Sequence, residues 1–189
     1  MAKPARKLVV GVSGSSSPQL GEIFLRVCRD IENLETHLIL SAGARRSIEL
    51  EMGVEPSAFA ELATVSYDPA DLGAGPSSGS FLTDGMVVIP CSMGTLGGIA
   101  AGTSTDLLRR AADVTLKERR RLVLVARETP LNLIHLRNME TVTLAGATVL
   151  PPMMAFYHRP QTIDDLLRQI CGKVLDQFGI AHELFRRWS

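Results

Sequence analysis

The chain has 189 residues, of which 46% are hydrophobic, which suits one compact α/β domain with a buried sheet better than two small domains. Lysine plus arginine and aspartate plus glutamate both number 20, a formal net charge of zero, which argues against general attraction to nucleic acid or an anionic membrane. Any anion the protein binds must therefore be held by a local site.

In chain order, Lys7 to Val12 predicts a buried strand, followed by the turn Gly14-Ser15-Ser16-Ser17-Pro18. Leu20, Ile23, Phe24, Val27, Cys28 and Ile31 recur at helical spacing. Thr36 to Leu40 reads as a second strand ending at Ser41, with a helix from about Arg45 to Met52. From Pro56 to Leu82 the pattern loosens into a long glycine-, proline- and serine-rich loop, read either as a lid or binding loop or as a disordered or subunit-contact segment.

Gly85 to Pro90 is a strongly apolar strand running into Cys91-Ser92-Met93-Gly94-Thr95. A helix through Leu107, Leu108, Ala111 and Ala112 precedes a strand from Arg121 to Val125, then come helix 132–144 and a short strand 147–150. The last helix carries Ile163, Leu166, Leu167, Ile170, Cys171, Val174, Leu175 and Phe178, and ends at Gly179. Apolar strands alternating with helices predict a single α/β domain over 1–189, with a central parallel sheet covered on both faces.

In such a sheet ligands collect beyond the carboxyl ends of the strands. Ser13 to Ser17, Ser41, Cys91 to Thr95 and Arg127-Glu128 all fall at such ends. The serine-rich turns offer hydroxyls and free N–H groups at helix N-termini, as an anion cradle or as plain N-caps. Neither matches G-x-G-x-x-G or G-x-x-x-x-G-K-[ST], so the dinucleotide and P-loop fingerprints are missing. Arg127-Glu128 reads either as a structural ion pair or as a phosphate ligand beside a general acid or base. The basic run Lys117, Arg119, Arg120, Arg121 is either a solvated helix end or a source of phosphate-binding cations.

Cys28, Cys91 and Cys171 lack C-x-x-C spacing and no histidine pair has ligand spacing, so neither a disulfide framework nor a metal site is expected. The apolar run Leu8-Val9-Val10 stops at Gly11, too short for a signal-peptide core, and no stretch is long enough to span a membrane; a cytoplasmic protein is expected.

Beyond these readings, several segments resemble the motifs of the UbiX-type flavin prenyltransferases, within the flavoprotein fold that includes cysteine decarboxylases. They are Gly11-Val12-Ser13-Gly14-Ser15-Ser16, Ser78-Gly79-Ser80, Pro90 to Leu96, Arg110 to Val114, Leu116 to Arg120, Arg127-Glu128-Thr129-Pro130, Pro151-Pro152 and Ala155 to Gln161, in family order. The resemblance implies a three-layer α/β/α Rossmann-like (flavodoxin-like) domain, assembled into a homo-dodecamer with FMN bound where subunits meet. It implies metal-independent transfer of a dimethylallyl group from dimethylallyl monophosphate to N5 and C6 of reduced FMN, giving prenylated FMN for a UbiD-type decarboxylase.

By the same resemblance, Gly14, Ser15, Ser16, Ser41, Ser92, Met93, Gly94, Thr95 and Arg127 would contact FMN. Lys117, Glu128, Tyr157 and Lys173 would bind the donor phosphate. Catalytic roles would fall to Ser16, Lys117, Glu128 and Trp188, the last steadying allylic cation character. Three positions depart from the family pattern: Ser17 replaces glycine, Asp106 asparagine, and Lys173 stands where arginine is also common. A cysteine-oxidising decarboxylase would carry Pro-Ala-Met-Asn where this chain has Pro151-Pro152-Met153-Met154. A non-catalytic flavin-binding partner of a decarboxylase is the other alternative.

Overall fold

A computed structural model describes residues 5–188. Six strands form one sheet in the order β3-β2-β1-β4-β5-β6, every neighbouring pair parallel. They are β1 (Arg6–Val12), β2 (Leu34–Leu40), β3 (Val65–Tyr67), β4 (Gly85–Cys91), β5 (Arg121–Ala126) and β6 (Thr148–Val149). The helices are α1 (Gln19–Arg29), α2 (Ala42–Met52), α3 (Ser57–Ala60), α4 (Met93–Ala100), α5 (Leu107–Lys117), α6 (Leu133–Leu144) and α7 (Ile163–Gln177).

Alternate strand residues face opposite layers, so the sheet builds two cores. Leu8, Val10 and Val12 of β1 pack with Phe24 of α1, Ile48 of α2 and Val174 of α7. Val9, Met86 and Val88 pack on the other side with Leu107 and Leu108 of α5 and Val142 of α6. Phe24 is fully buried, worth about 2 kcal/mol relative to leaving it in water. This is the three-layer α/β/α arrangement the sequence predicts. The strand order reverses between β1 and β4, which makes their carboxyl ends the place where a ligand crevice opens.

Most element boundaries fall within a few residues of those predicted. The exception is the stretch read as one long loop. It contains α3, the edge strand β3 and a 3-10 turn at Gly75–Ser77, and Phe59 of α3 is buried in the first core. Three-residue β3 is too short to show a period of two, and it is fixed instead by pairing with residues His37 to Ile39. Helix α2 also starts earlier than predicted, because the Ser41 side chain accepts from Ala44 N–H and caps it.

Candidate functional site

The carboxyl ends of β1, β4 and β5 are held together by two serines. Ser13, almost fully buried, donates from Oγ to the Pro90 carbonyl at 3.1 Å and accepts from Ser92 N–H at 2.7 Å. Ser15 donates from Oγ to the Arg127 carbonyl at 3.0 Å. The Ser15 hydroxyl therefore braces the turn, leaving Ser16 as the half-buried hydroxyl beside it. Ser13 lies within the quoted β1 motif, but its bridging role needs the register of β4 to be seen.

Helices α2 and α4 begin at this edge. Ser41 caps α2, and Ser92 caps α4 by accepting from Thr95 N–H while donating to Thr95 Oγ1 at 3.1 Å. Met93 and Thr95 are buried, whereas Gly94 is exposed and a Cβ there would meet nothing within 4 Å. Gly14 is different, since an added Cβ would lie 2.8 Å from Gly43 Cα. That contact lets the β1 turn lie against the start of α2.

It also brings up a residue the sequence did not single out. Glu51, near the end of α2, accepts through Oε2 from Ser16 Oγ and from Ser17 N–H, both at 3.0 Å. Ser17 has φ 71, the left-handed angle that glycine adopts freely. The residue changes at this turn while the glycine-like backbone angle is kept.

Next to the crevice lies a cavity of about 590 Å³. Ser17, Arg127 and Glu128 form its polar rim and Met153, Met154 and Leu166 its apolar wall. A second cavity, of about 380 Å³, shares Pro151, Met153 and Ile170 with the first and reaches Tyr157, Lys173 and buried Gln169. A third, of about 180 Å³, shares Tyr157 and is lined by Arg159, Arg186, Arg187 and Trp188. Trp188 meets Tyr157 edge-on, ring centroids 5.8 Å apart. Arg127 and Glu128 form no ion pair among the described residues, which removes the structural-pair reading.

Lys117 does not join them within one chain. It ends α5 at the opposite, amino edge of the sheet, paired with Glu118 and beside Gly79. Arg120, part of the same basic run, donates to the carbonyls of Gly79 at 2.6 Å and Phe81 at 2.7 Å and so fixes the Ser78-Gly79-Ser80 turn. Asp106 caps α5 by accepting from Arg109 N–H, a role asparagine would fill equally.

Burial pushes the Cys91 thiol up to about 12, so it carries no thiolate for nucleophilic chemistry near neutral pH. Cys28 and Cys171 are likewise buried and free. Among the described residues no cluster of histidine, cysteine or acidic side chains could hold a metal, and no helix is long and apolar enough to cross a membrane.

A doubly wound parallel sheet with serine-capped helices at its switch point defines a flavodoxin-like α/β protein. The Flavoprotein family matches residues 1–175. A probable UbiX-like flavin prenyltransferase of Escherichia coli O157:H7 is 51% identical over 183 residues, 97% of this chain and 93% of the relative. The chain belongs to the UbiX-type flavin prenyltransferase family. Among solved structures, a dodecameric FMN-dependent UbiX-like decarboxylase from Escherichia coli O157:H7 superposes with TM-score 0.94 at 51% identity, covering 97% of this chain and 99% of that one. AnUbiX (PadA1), in complex with FMN and dimethylallyl pyrophosphate, superposes with TM-score 0.93 at 47% identity, covering 98% of both chains.

Proposed function

We propose that this protein is a flavin prenyltransferase that joins a dimethylallyl group to N5 and C6 of reduced FMN, producing prenylated FMN. The observation that carries the reading is the run of cavities from the flavin crevice, past Glu128 and an apolar wall, to Tyr157 and Lys173. A short branched hydrocarbon with a phosphate at one end fits that order of surfaces.

The crevice suits FMN. Gly14 lets the β1 turn lie against the start of α2, Gly94 leaves open space, and the capped starts of α2 and α4 present N–H groups to an anion. Ser15, Ser16, Ser41, Ser92, Met93, Thr95 and Arg127 complete the proposed flavin contacts. Reduced FMN supplies the nucleophilic positions of the reaction. Ser16 takes a proton and passes it to the carboxylate of Glu51, a role its hydrogen bond to that side chain supports.

At the donor end, Lys173 and Tyr157 bind phosphate, and Glu128 passes a proton to the departing group as the allylic C–O bond breaks. Trp188 offers an indole face to the developing allylic cation. Lys117 lies on the far sheet edge, so its ammonium reaches this site only from a neighbouring subunit. A homo-dodecamer like that of the Escherichia coli relative supplies such neighbours. We further assign dimethylallyl monophosphate as donor, a UbiD-type decarboxylase as recipient of the product, and the cytoplasm as the location.

Anaerobic incubation with reduced FMN and dimethylallyl monophosphate, followed by mass spectrometry of the released flavin, tests the reading. The expected product is heavier by one prenyl unit and is lost in Glu128→Gln. Unchanged flavin from protein that still binds FMN would refute the activity with this donor.

A further inference from the structure

Asp176 lies near the end of α7, three residues beyond Lys173, with a side chain one-fifth exposed. Its carboxylate gathers donors from two parts of the chain. Oδ1 accepts from Arg187 Nη2 at 2.7 Å and from His182 Nε2 at 3.1 Å. Oδ2 accepts from Arg187 Nη1 at 3.2 Å and from Lys173 Nζ at 3.4 Å. The Arg187 pair is bidentate, the arrangement that fixes orientation as well as distance. His182 Nδ1 accepts from Leu184 N–H at 3.3 Å, which assigns the ring hydrogen to Nε2, the atom that faces Asp176.

These contacts hold the arm 180–188 flat against α7. Gly172 makes room for it, since a Cβ there would lie 2.5 Å from Phe185 Cε1 and 2.7 Å from His182 Cε1. A glycine inside a helix costs about 1 kcal/mol relative to alanine, and here it sits where the arm crosses. Phe185 packs against His182, centroids 5.4 Å apart, and Arg187 lies over Phe185 at 5.5 Å. The next residue is Trp188, edge-on to Tyr157.

We propose that Asp176 is a positioning residue of the donor site, its one carboxylate fixing both the Lys173 ammonium and the arm that places Trp188 beside Tyr157. The proposal rests on the donor site described above. Asp176 touches no reacting atom; it acts through Lys173 and Arg187. Its removal leaves two cations without their shared anion and frees the arm, while the flavin crevice, built from β1, α2 and α4, is untouched.

The test uses the assembled wild-type protein and Asp176→Asn, Asp176→Glu and Arg187→Ala. Trp188 is the only tryptophan, so its fluorescence anisotropy reports the arm directly, with no substrate present. Trypsin cleavage after Arg186 and Arg187 is the second readout. For Asp176→Asn we expect lower anisotropy, cleavage about ten-fold faster, and a KM for dimethylallyl monophosphate raised about ten-fold at unchanged FMN affinity. Asp176→Glu should recover part of each. Arg187→Ala should free the arm with a smaller effect on KM, and it tests the anchor should Asp176→Asn fail to fold.

Unchanged anisotropy and cleavage would overturn the proposal. So would loss of FMN and donor affinity in step, the mark of a merely structural role. Absence of prenyl transfer in the wild type would overturn the donor assignment, and the first two readouts would still decide whether Asp176 holds the arm.

Discussion

Lys117 and Glu128 stand beyond opposite ends of β5, separated by at least the length of that six-residue strand, about 20 Å. No side-chain rotation closes that distance, so one active site that uses both must draw them from two subunits. The expectation is complementation. Lys117→Ala and Glu128→Gln should each be inactive, whereas oligomers assembled from an equal mixture should recover up to about a quarter of wild-type turnover, because random assembly leaves that share of sites intact. Recovery is measured as prenylated flavin per subunit after co-expression. No recovery in verified mixed oligomers would mean that the two residues do not serve one site.

The Ser16–Glu51 hydrogen bond makes a second expectation. If Glu51 receives the proton that Ser16 relays, Glu51→Gln keeps the shape and loses the base. Prenyl transfer should fall on the order of 10²-fold while FMN remains bound. Ser16→Ala should cost a similar factor, and the double variant little more than either, because the two act as one unit. Additive losses would place them in separate steps.

Ser17 pays a local conformational cost for its position. A left-handed backbone costs a residue with a side chain roughly 1–2 kcal/mol, partly offset by the extra chain entropy glycine loses on folding. The bond to Glu51 comes from the backbone N–H, which glycine retains. Ser17→Gly should therefore raise the melting temperature by about 2 °C with the Glu51 contact intact, and Ser17→Val should lower it by more. Differential scanning calorimetry of the FMN-free protein decides this; a lower value for Ser17→Gly would show that the side chain itself stabilises the turn.

Sequence periodicity revealed the layers because apolar strands and amphipathic helices carry the pattern locally. It also placed the serine turns at the carboxyl edge, since each directly follows a strand. The position of Lys117 was implicit in the same alternation: a helix leading into a parallel strand must end where that strand begins. Glu51 had no such signal. It is one of two acids on α2, with Glu49, and it meets Ser16 only because Gly14 and Gly43 let the turn and the helix approach. Asp176 was equally silent, for with Lys173 it makes an ordinary i,i+3 helix pair, and His182 and Arg187 join it only when the arm folds back on α7.

The anchor at Asp176 predicts a pH dependence of fixed sign. Hydrogen bonding from Arg187, foremost among its neighbours, holds this carboxyl below the usual carboxylate range, with His182 acting in the same direction. Lys173, from α7, is the remaining charged group bonded to it. A carboxyl with a depressed folded-state pKa contributes stability that is fully present above its unfolded value, near 4, and lost as pH falls through the folded value. The arm should thus stay docked through the neutral and mildly acidic range and release only below about pH 4. Trp188 anisotropy should show this acid step in the wild type. In Asp176→Asn, which has no carboxyl to protonate, the arm should already be mobile at neutral pH and the step missing; an identical acid step in that variant would trace the release to another group.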